Sequence, residues 1–377
     1  MAAQRPTAIR GLTFLAVLVA CRGPDAPPAP ERPESLEQVF VVESVVEIGE
    51  DPADSIADVG EFLERRAGGF VITDRLLPRI RSYGEDGRLE AAFGRFGDGP
   101  FELRQVSGLA ETPSGKLVVA DSRRSALVYL THALRPDTIV RVPGAPRRIV
   151  SIGPDLIVRM DPFAGGGPSR LVAKPPLFHR LSGGRVAWSA YPARFSPAER
   201  PYWGSFATNL VAVAGDSVFV MTSLTYPITV ISSTGDSVGT MGRPSESFRQ
   251  IPVFERGEFA GPSTALPEVL ASFDVVGRLD VLAGSHLVVT HSRYDETDPS
   301  PSLRRVHSTL DIYDRHTGAK LHEDVPLPER SKVLGGGRFL YLLLNQDTPP
   351  WRIAKLRLST GRDASGAGAS TPWGIGG

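Results

Sequence analysis

The chain repeats itself. Gly69-Phe-Val-Ile-Thr-Asp74 followed by Ile80-Arg-Ser-Tyr83 returns as Gly115-Lys-Leu-Val-Val-Ala-Asp121 followed by Ala126-Leu-Val-Tyr-Leu130. Asp74 and Asp121 are 47 residues apart, and so are Ile80 and Leu127. A third copy, Asp216-Ser-Val-Phe-Val-Met-Thr222 with Ile228-Thr-Val-Ile231, lies about two periods further on. Pro154 to Val158 with Leu177 to Leu181 fills the gap. Gly284 to Thr290 with Thr309 to Tyr313, and Gly337 to Leu344 with Trp351 to Leu356, bring the copies to six. Each copy is a turn, an apolar strand, a polar connection and a second strand rich in β-branched and aromatic residues. A unit that recurs in this way cannot bury its own apolar faces and is stable only when packed against its neighbours.

Residues 39 to 361 shared among six copies give about 54 residues each, the size of a four-stranded propeller blade. The expected fold is all-β, a six-bladed β-propeller over residues 36–361. Gly 39 and Pro 33 in 377 residues fit many turns and argue against a helix bundle. A propeller must hide its terminal strand edges. Val39-Phe-Val-Val42 is apolar and precedes the first copy, so residues near 38–46 are expected to complete the last blade.

Between the first two copies stands Phe93-Gly-Arg-Phe-Gly97-Asp-Gly99-Pro-Phe-Glu-Leu103, followed by Val106-Ser-Gly-Leu-Ala110. This stretch resembles the NHL-type repeat of bacterial six-bladed propellers. The resemblance implies that it links the outer strand of one blade to the inner strand of the next. Gly94, Gly97 and Gly99 do not have phosphate-loop spacing, and no Gly-Lys-Ser/Thr follows. They read as an interblade turn with a glycine at positive φ.

The N-terminus carries an address. Arg5 and Arg10 precede an apolar run, Leu12 to Ala20, which is too short to span a bilayer and reads as a signal peptide. It ends Leu18-Val-Ala-Cys21, which resembles the bacterial lipobox, and Cys21 is the only cysteine of the chain. Residues 1–20 are therefore read as signal peptide and Cys21 as the lipidated residue. Residues 21–35, rich in proline, are read as a disordered but extended tether, and 362–377 as a disordered tail. Arg22 after the cysteine, by resemblance to enterobacterial lipoproteins, implies the outer membrane. The expected protein is exported and anchored in the cell envelope through its lipid.

Forty-two basic and 42 acidic residues cancel, so nucleic acid is not an expected partner. One cysteine excludes a disulfide framework and a Cys-rich metal site. Asp74 and Asp121 end strands before turns and are read as caps of backbone N–H groups. His286 and His291, and His316 and His322, lack the H-E-x-x-H spacing. The chain has two asparagines, Asn209 and Asn345, which argues against propeller sites that hold metal through Asn. No nucleophile elbow is present. No catalytic residue, metal or cofactor is assigned.

Two segments depart from the repeat. Trp188, Tyr191, Arg194, Phe195, Arg200, Tyr202 and Trp203 crowd one connection, and aromatics with arginine are the composition of binding hot spots. Asp295, Glu296 and Asp298 sit in another and are read as a solvated acidic loop. The expected function is a non-enzymatic scaffold lipoprotein binding a protein, peptide or glycan. The alternative is a propeller hydrolase or lyase with a metal at the central channel. Three or more His or carboxylates converging on the channel mouth would favour the enzyme, and a channel of small and apolar residues the scaffold.

Overall fold

The computed structural model describes residues 29–51, 54–161, 176–192, 208–251, 271–294, 305–345 and 349–359. Among these, 24 strands form six four-stranded antiparallel sheets. Blade 1 is β2 (Val59–Glu64), β3 (Phe70–Asp74), β4 (Ile80–Tyr83) and β5 (Leu89–Phe93). Blade 2 is β6 (Val106–Glu111), β7 (Leu117–Asp121), β8 (Ala126–Leu130) and β9 (Pro136–Arg141). Blade 3 is β10 (Ala145–Ile152), β11 (Asp155–Asp161), β12 (Pro176–Ser182) and β13 (Arg185–Pro192). Blade 4 is β14 (Asn209–Ala214), β15 (Ser217–Thr222), β16 (Thr225–Ile231) and β17 (Ser237–Met241). Blade 5 is β18 (Val275–Leu282), β19 (His286–Tyr294), β20 (Arg305–Asp314) and β21 (Lys320–Pro326). Blade 6 is β22 (Lys332–Gly336), β23 (Leu340–Leu343), β24 (Trp351–Leu358) and β1 (Phe40–Ile48). The protein is a six-bladed β-propeller.

The first strands β2, β6, β10, β14, β18 and β22 touch one another in cyclic order and line the axis. The ring closes as the apolar N-terminal strand led one to expect. β1 adds to β24 as the outer strand of blade 6, from Phe40 opposite Leu358 to Ile48 opposite Trp351. The chain's two ends thus share one sheet, which removes an open edge. Burial follows position in the blade. β3 and β7 are buried along their whole length, whereas the outer strands β5, β9 and β17 are largely exposed. The apolar side chains meet between blades. Val71 and Ile80 of blade 1, for example, join Leu117, Val119 and Val128 of blade 2 in one cluster.

The connection from Phe93 to Leu103 links β5 to β6, outer strand to inner. Gly94 has φ +103°, and a Cβ there would stand 2.3 Å from the Pro78 carbonyl oxygen. Gly97 and Gly99 do not have positive φ; they are pressed by the Glu102 carboxylate, which accepts from the Gly99 N–H at 2.7 Å. Leu103, fully buried, closes the turn. Asp121 accepts from the backbone N–H groups of Arg104 and Gln105, ahead of β6, and of Arg124. Asp74 does the same for Ala57, Leu76 and Leu77. Each carboxylate therefore ties a strand end to the chain entering its blade.

The residues read as signal peptide, Cys21, the first part of the segment read as a tether and the residues read as a tail lie outside the described residues. From residue 29 the proline-rich segment runs along blade 5. Glu31 N–H donates to the Leu321 carbonyl at 3.0 Å, and Glu323 N–H to the Glu31 carbonyl at 2.8 Å.

Candidate functional site

The axial channel, the site whose lining distinguishes an enzyme from a scaffold, is a cavity of about 390 Å³ reached by all six inner strands. Its wall is mainly small and apolar, from residues such as Leu63, Ala110, Val150, Ala212, Leu279 and Gly336. Five inner strands carry a β-bulge at the same phase, a device that re-aims the next side chain. The residue after the bulge is Gly108 in blade 2, Arg148 in blade 3, Arg278 in blade 5 and Gly335 in blade 6. The two arginines share one carboxylate. Asp280 accepts from Arg278 at 2.8 and 2.9 Å and lies 3.9 Å from Arg148. Burial opposes charge on Asp280, but the arginines hold its carboxyl below the usual range, while burial and the neighbouring Arg278 lower the pKa of Arg148. At the mouth, Glu64 pairs with Arg338 at 2.9 Å. Glu111 takes the buried Arg65 at 3.4 Å and the Arg66 N–H at 2.7 Å.

Of the aromatic segment singled out in the sequence, Trp188 and Tyr191 are described, both half-buried on β13. Trp188 Nε1 donates to the Ser233 carbonyl of blade 4 at 2.8 Å. Tyr191, at φ +58°, packs on Phe178 with ring centroids 5.8 Å apart. Arg194, Phe195, Arg200, Tyr202 and Trp203 lie outside the described residues, as do Asp295, Glu296 and Asp298. β19 continues through Ser292, Arg293 and Tyr294.

The feature that sequence reasoning missed lies between blades 4 and 5. Asp311, at the centre of β20, is fully buried. Its Oδ2 faces His291 Nε2 at 3.2 Å and Lys320 Nζ at 2.8 Å, and accepts from the Tyr313 hydroxyl at 3.2 Å. Its Oδ1 accepts from the Asp324 N–H at 3.0 Å. Burial works to raise its pKa, but His291 and Lys320 hold the carboxyl well below the usual range. Burial, with Asp311 beside them, raises the phenols of Tyr226 and Tyr313. Tyr226 also meets His291 Nε2 at 3.1 Å. Lys320 pairs in turn with Glu323 at 2.9 Å, and Glu323 with Arg32 of the proline-rich segment at 2.8 Å.

His291, 4% exposed, lines a small cavity of about 90 Å³ together with Ser247, Phe248, Asp274, Arg293 and Asp324. Its Nδ1 is buried and has no hydrogen-bond partner among the described residues. An Asp311 carboxylate facing Nε2 requires a hydrogen there, so in the neutral ring Nδ1 is a bare acceptor. The strand register shows that His291, opposite Val276, occupies the position of Asp121, opposite Val106. The residue in place of the capping aspartate in blade 5 is therefore His291. Among the described residues no group of three or more His, Cys, Asp or Glu is arranged to hold a metal.

No family model matches the chain, and no curated protein matches it by sequence. Solved structures match it in fold. A Bacteroides fragilis protein assigned as exported aligns over 88% of this chain and 99% of its own, at 13% identity and a TM-score of 0.63. A member of the DUF4221 family from Bacteroides vulgatus aligns over 85% of this chain and 98% of its own, at 13% identity and a TM-score of 0.59. At this identity the likeness is one of fold.

Proposed function

We propose that the chain is an exported propeller lipoprotein of the cell envelope, anchored through Cys21, that binds a protein, peptide or glycan partner and carries out no chemistry in its channel. The observation that carries the reading is the state of the channel carboxylates. Glu64, Glu111 and Asp280 each already have an arginine partner, and the rest of the wall, Arg66, Arg148 and Ser151 apart, is small and apolar. A metal there would have to displace charge-assisted pairs, two of which, Arg65–Glu111 and Arg278–Asp280, are largely buried. The short apolar run ending at Cys21 and the proline-rich stretch after it support anchoring at a distance from a lipid surface. The fold likeness to a protein assigned as exported agrees with that address. Rim segments carry binding in rigid rings, and the aromatic segment from Trp188 to Trp203 is the one proposed for contact with the partner.

The test is fractionation combined with mass analysis. The wild-type protein is expected in the outer membrane with lipid mass on its N-terminal peptide, and Cys21→Ser in the soluble fraction. A wild-type protein recovered soluble, without lipid, overturns the anchor. The hydrolase or lyase alternative gains if equilibrium dialysis against Ca²⁺ or Mg²⁺ finds one metal bound per chain and Asp280→Asn removes it.

A further inference from the structure

We propose that the cavity between blades 4 and 5 is a binding site for a primary ammonium group carried on an alkyl chain. The inference rests on the reading of the chain as a binding propeller and names the chemistry that one of its sites would take. The cavity, at about 90 Å³, admits the end group of a ligand rather than a whole one.

Its polar groups fall into two sets. Asp274 and Arg293 are spent on each other: Arg293 Nε and Nη2 reach the two carboxylate oxygens at 2.7 Å each, Asp274 also accepts from the Arg249 N–H at 2.6 Å, and Arg293 reaches the Ser247 carbonyl at 2.8 Å. The other set consists of acceptors. His291 Nδ1 is buried and unpartnered among the described residues. Asp324 lines the same cavity, and its carboxylate makes no ion pair with the described residues. Asp324 is held at φ +55°, a region costly for a non-glycine residue, and its N–H is tied to Asp311. The carboxylate that fixes the tautomer of His291 therefore also fixes the backbone of Asp324.

Arg293 holds Asp274 in direct contact and acts on Asp324 through space, so one guanidinium stands against two carboxylates and the cavity keeps one negative charge over. A donor-rich, singly positive group meets these conditions. An ammonium offers three N–H donors and no acceptor, to be shared between His291 Nδ1, the Asp324 carboxylate and a serine hydroxyl, with the Phe248 ring alongside. A carboxylate or phosphate would face two bare acceptors. A hydroxyl would satisfy one acceptor and leave that negative charge unanswered.

The probe is ethylammonium, followed by NMR of the His291 ring in the full chain, with ethylene glycol and acetate as comparators. Ethylammonium is expected to shift the His291 signals and saturate, with Kd on the order of millimolar for so small a ligand, and acetate to leave them in place. Asp324→Asn keeps the side-chain shape and tolerates left-handed backbone. It is expected to weaken ethylammonium roughly 10-fold, as loss of one charge-assisted contact does, with the unfolding temperature unchanged. His291→Gln, confirmed folded by circular dichroism, should weaken it as well. Equal binding of ethylene glycol, an unchanged affinity in Asp324→Asn, or no shift at His291 up to about 0.1 M probe each overturns the proposal. A protein that is lipidated at Cys21 but does not bind ethylammonium loses this inference alone; metal-dependent turnover in the channel would instead remove the reading on which it rests.

Discussion

Blades 2 and 5 place different chemistry on the same lattice. Val119 and Val289 are equivalent by register, since each lies opposite an inner-strand leucine, Leu109 and Leu279. Their partners on the next strand are Val128 in blade 2 and Asp311 in blade 5. Both are fully buried. Val128 belongs to an apolar interblade cluster, while Asp311 gathers His291, Lys320, Tyr313 and a backbone N–H. Burying an ion pair in place of well-packed hydrocarbon brings no general gain in stability. Blade 2 shows that the fold does not need the charge. Blade 1 offers a control. Its Arg81, at the same register position opposite Ile72, is also buried, and Asp54 lies 3.4 Å away. A charge at this position can thus be met by a carboxylate from the chain between β1 and β2. What sets blade 5 apart is a cavity with an unpartnered histidine nitrogen facing it.

The largest expected effect breaks the comparison from the blade 2 side. Val128→Asp places a carboxylate among Val119, Leu117 and Leu130 with no counter-charge built for it. It is expected to cost about 4 kcal/mol or more, and denaturant titration should find the variant largely unfolded. A folded, two-state Val128→Asp would mean that this position tolerates charge anywhere in the ring.

The reverse change sharpens the contrast. Asp311→Asn removes one of the two buried carboxylates on Lys320, leaving Glu323, and also the charged partner of His291; it is expected to cost about 3 kcal/mol. Asp311→Val with Lys320→Met, which restores the blade 2 chemistry, should recover most of that loss; if it does not, the network is needed for folding itself. The pH dependence has a definite sign. The Asp311 pKa is lowered in the folded state, so its contribution is complete above the ordinary carboxylate value, near about 3.9. It is lost as pH falls from there through the folded value. The wild type should therefore lose more stability on acidification below about pH 4 than Asp311→Asn does.

Much of this was legible in the sequence, because period-two alternation and turn residues report blade strands directly. The six copies are the six blades, and the closing strand followed from the rule against open edges. The His291 cavity was not legible. Its groups come from β16, β19, β20, β21 and the connection around Ser247, spread from Tyr226 to Asp324 with no local spacing to mark them. One signal was present. Thr309-Leu-Asp311-Ile-Tyr313 set beneath Ala126-Leu-Val128-Tyr-Leu130 puts a carboxylate in the middle of a core strand. The channel bulges left no such trace, since the shared position is glycine in blades 2 and 6 and arginine in blades 3 and 5.

A smaller effect compares the two regular blades with each other. Asp74 and Asp121 each accept three backbone N–H groups. Asp74→Ala and Asp121→Ala should each cost about 2 kcal/mol, the order expected for buried donors left partly unsatisfied. Equal losses in denaturant titration would identify them as one device used twice, and a harmless Asp121→Ala would remove capping as the reason for the repeat.

The smallest effect concerns what lies against blade 5 and not blade 2. Among the described residues the proline-rich segment touches the ring through Glu31, which bridges to His322, and through Arg32, which pairs with Glu323. Glu323 is buried at 6% side-chain exposure, whereas Arg32 is half-exposed. The Glu323 carboxyl is held below its ordinary value, against burial, by Lys320 and Arg32. Because Lys320 remains to compensate Glu323, Arg32→Ala should leave the unfolding temperature unchanged. The loss should be local: a protease cutting after residues 29–35 should reach its bonds faster in Arg32→Ala than in the wild type, with cleavage inside the blades unaltered. Removing Lys320 instead should disturb both the segment and the His291 cavity, because its ammonium joins Glu323 to Asp311. Equal cleavage rates in wild type and Arg32→Ala would show that the backbone bridge at Glu31 holds the segment by itself, and that blade 5 owes its charged core to the cavity and not to the tether.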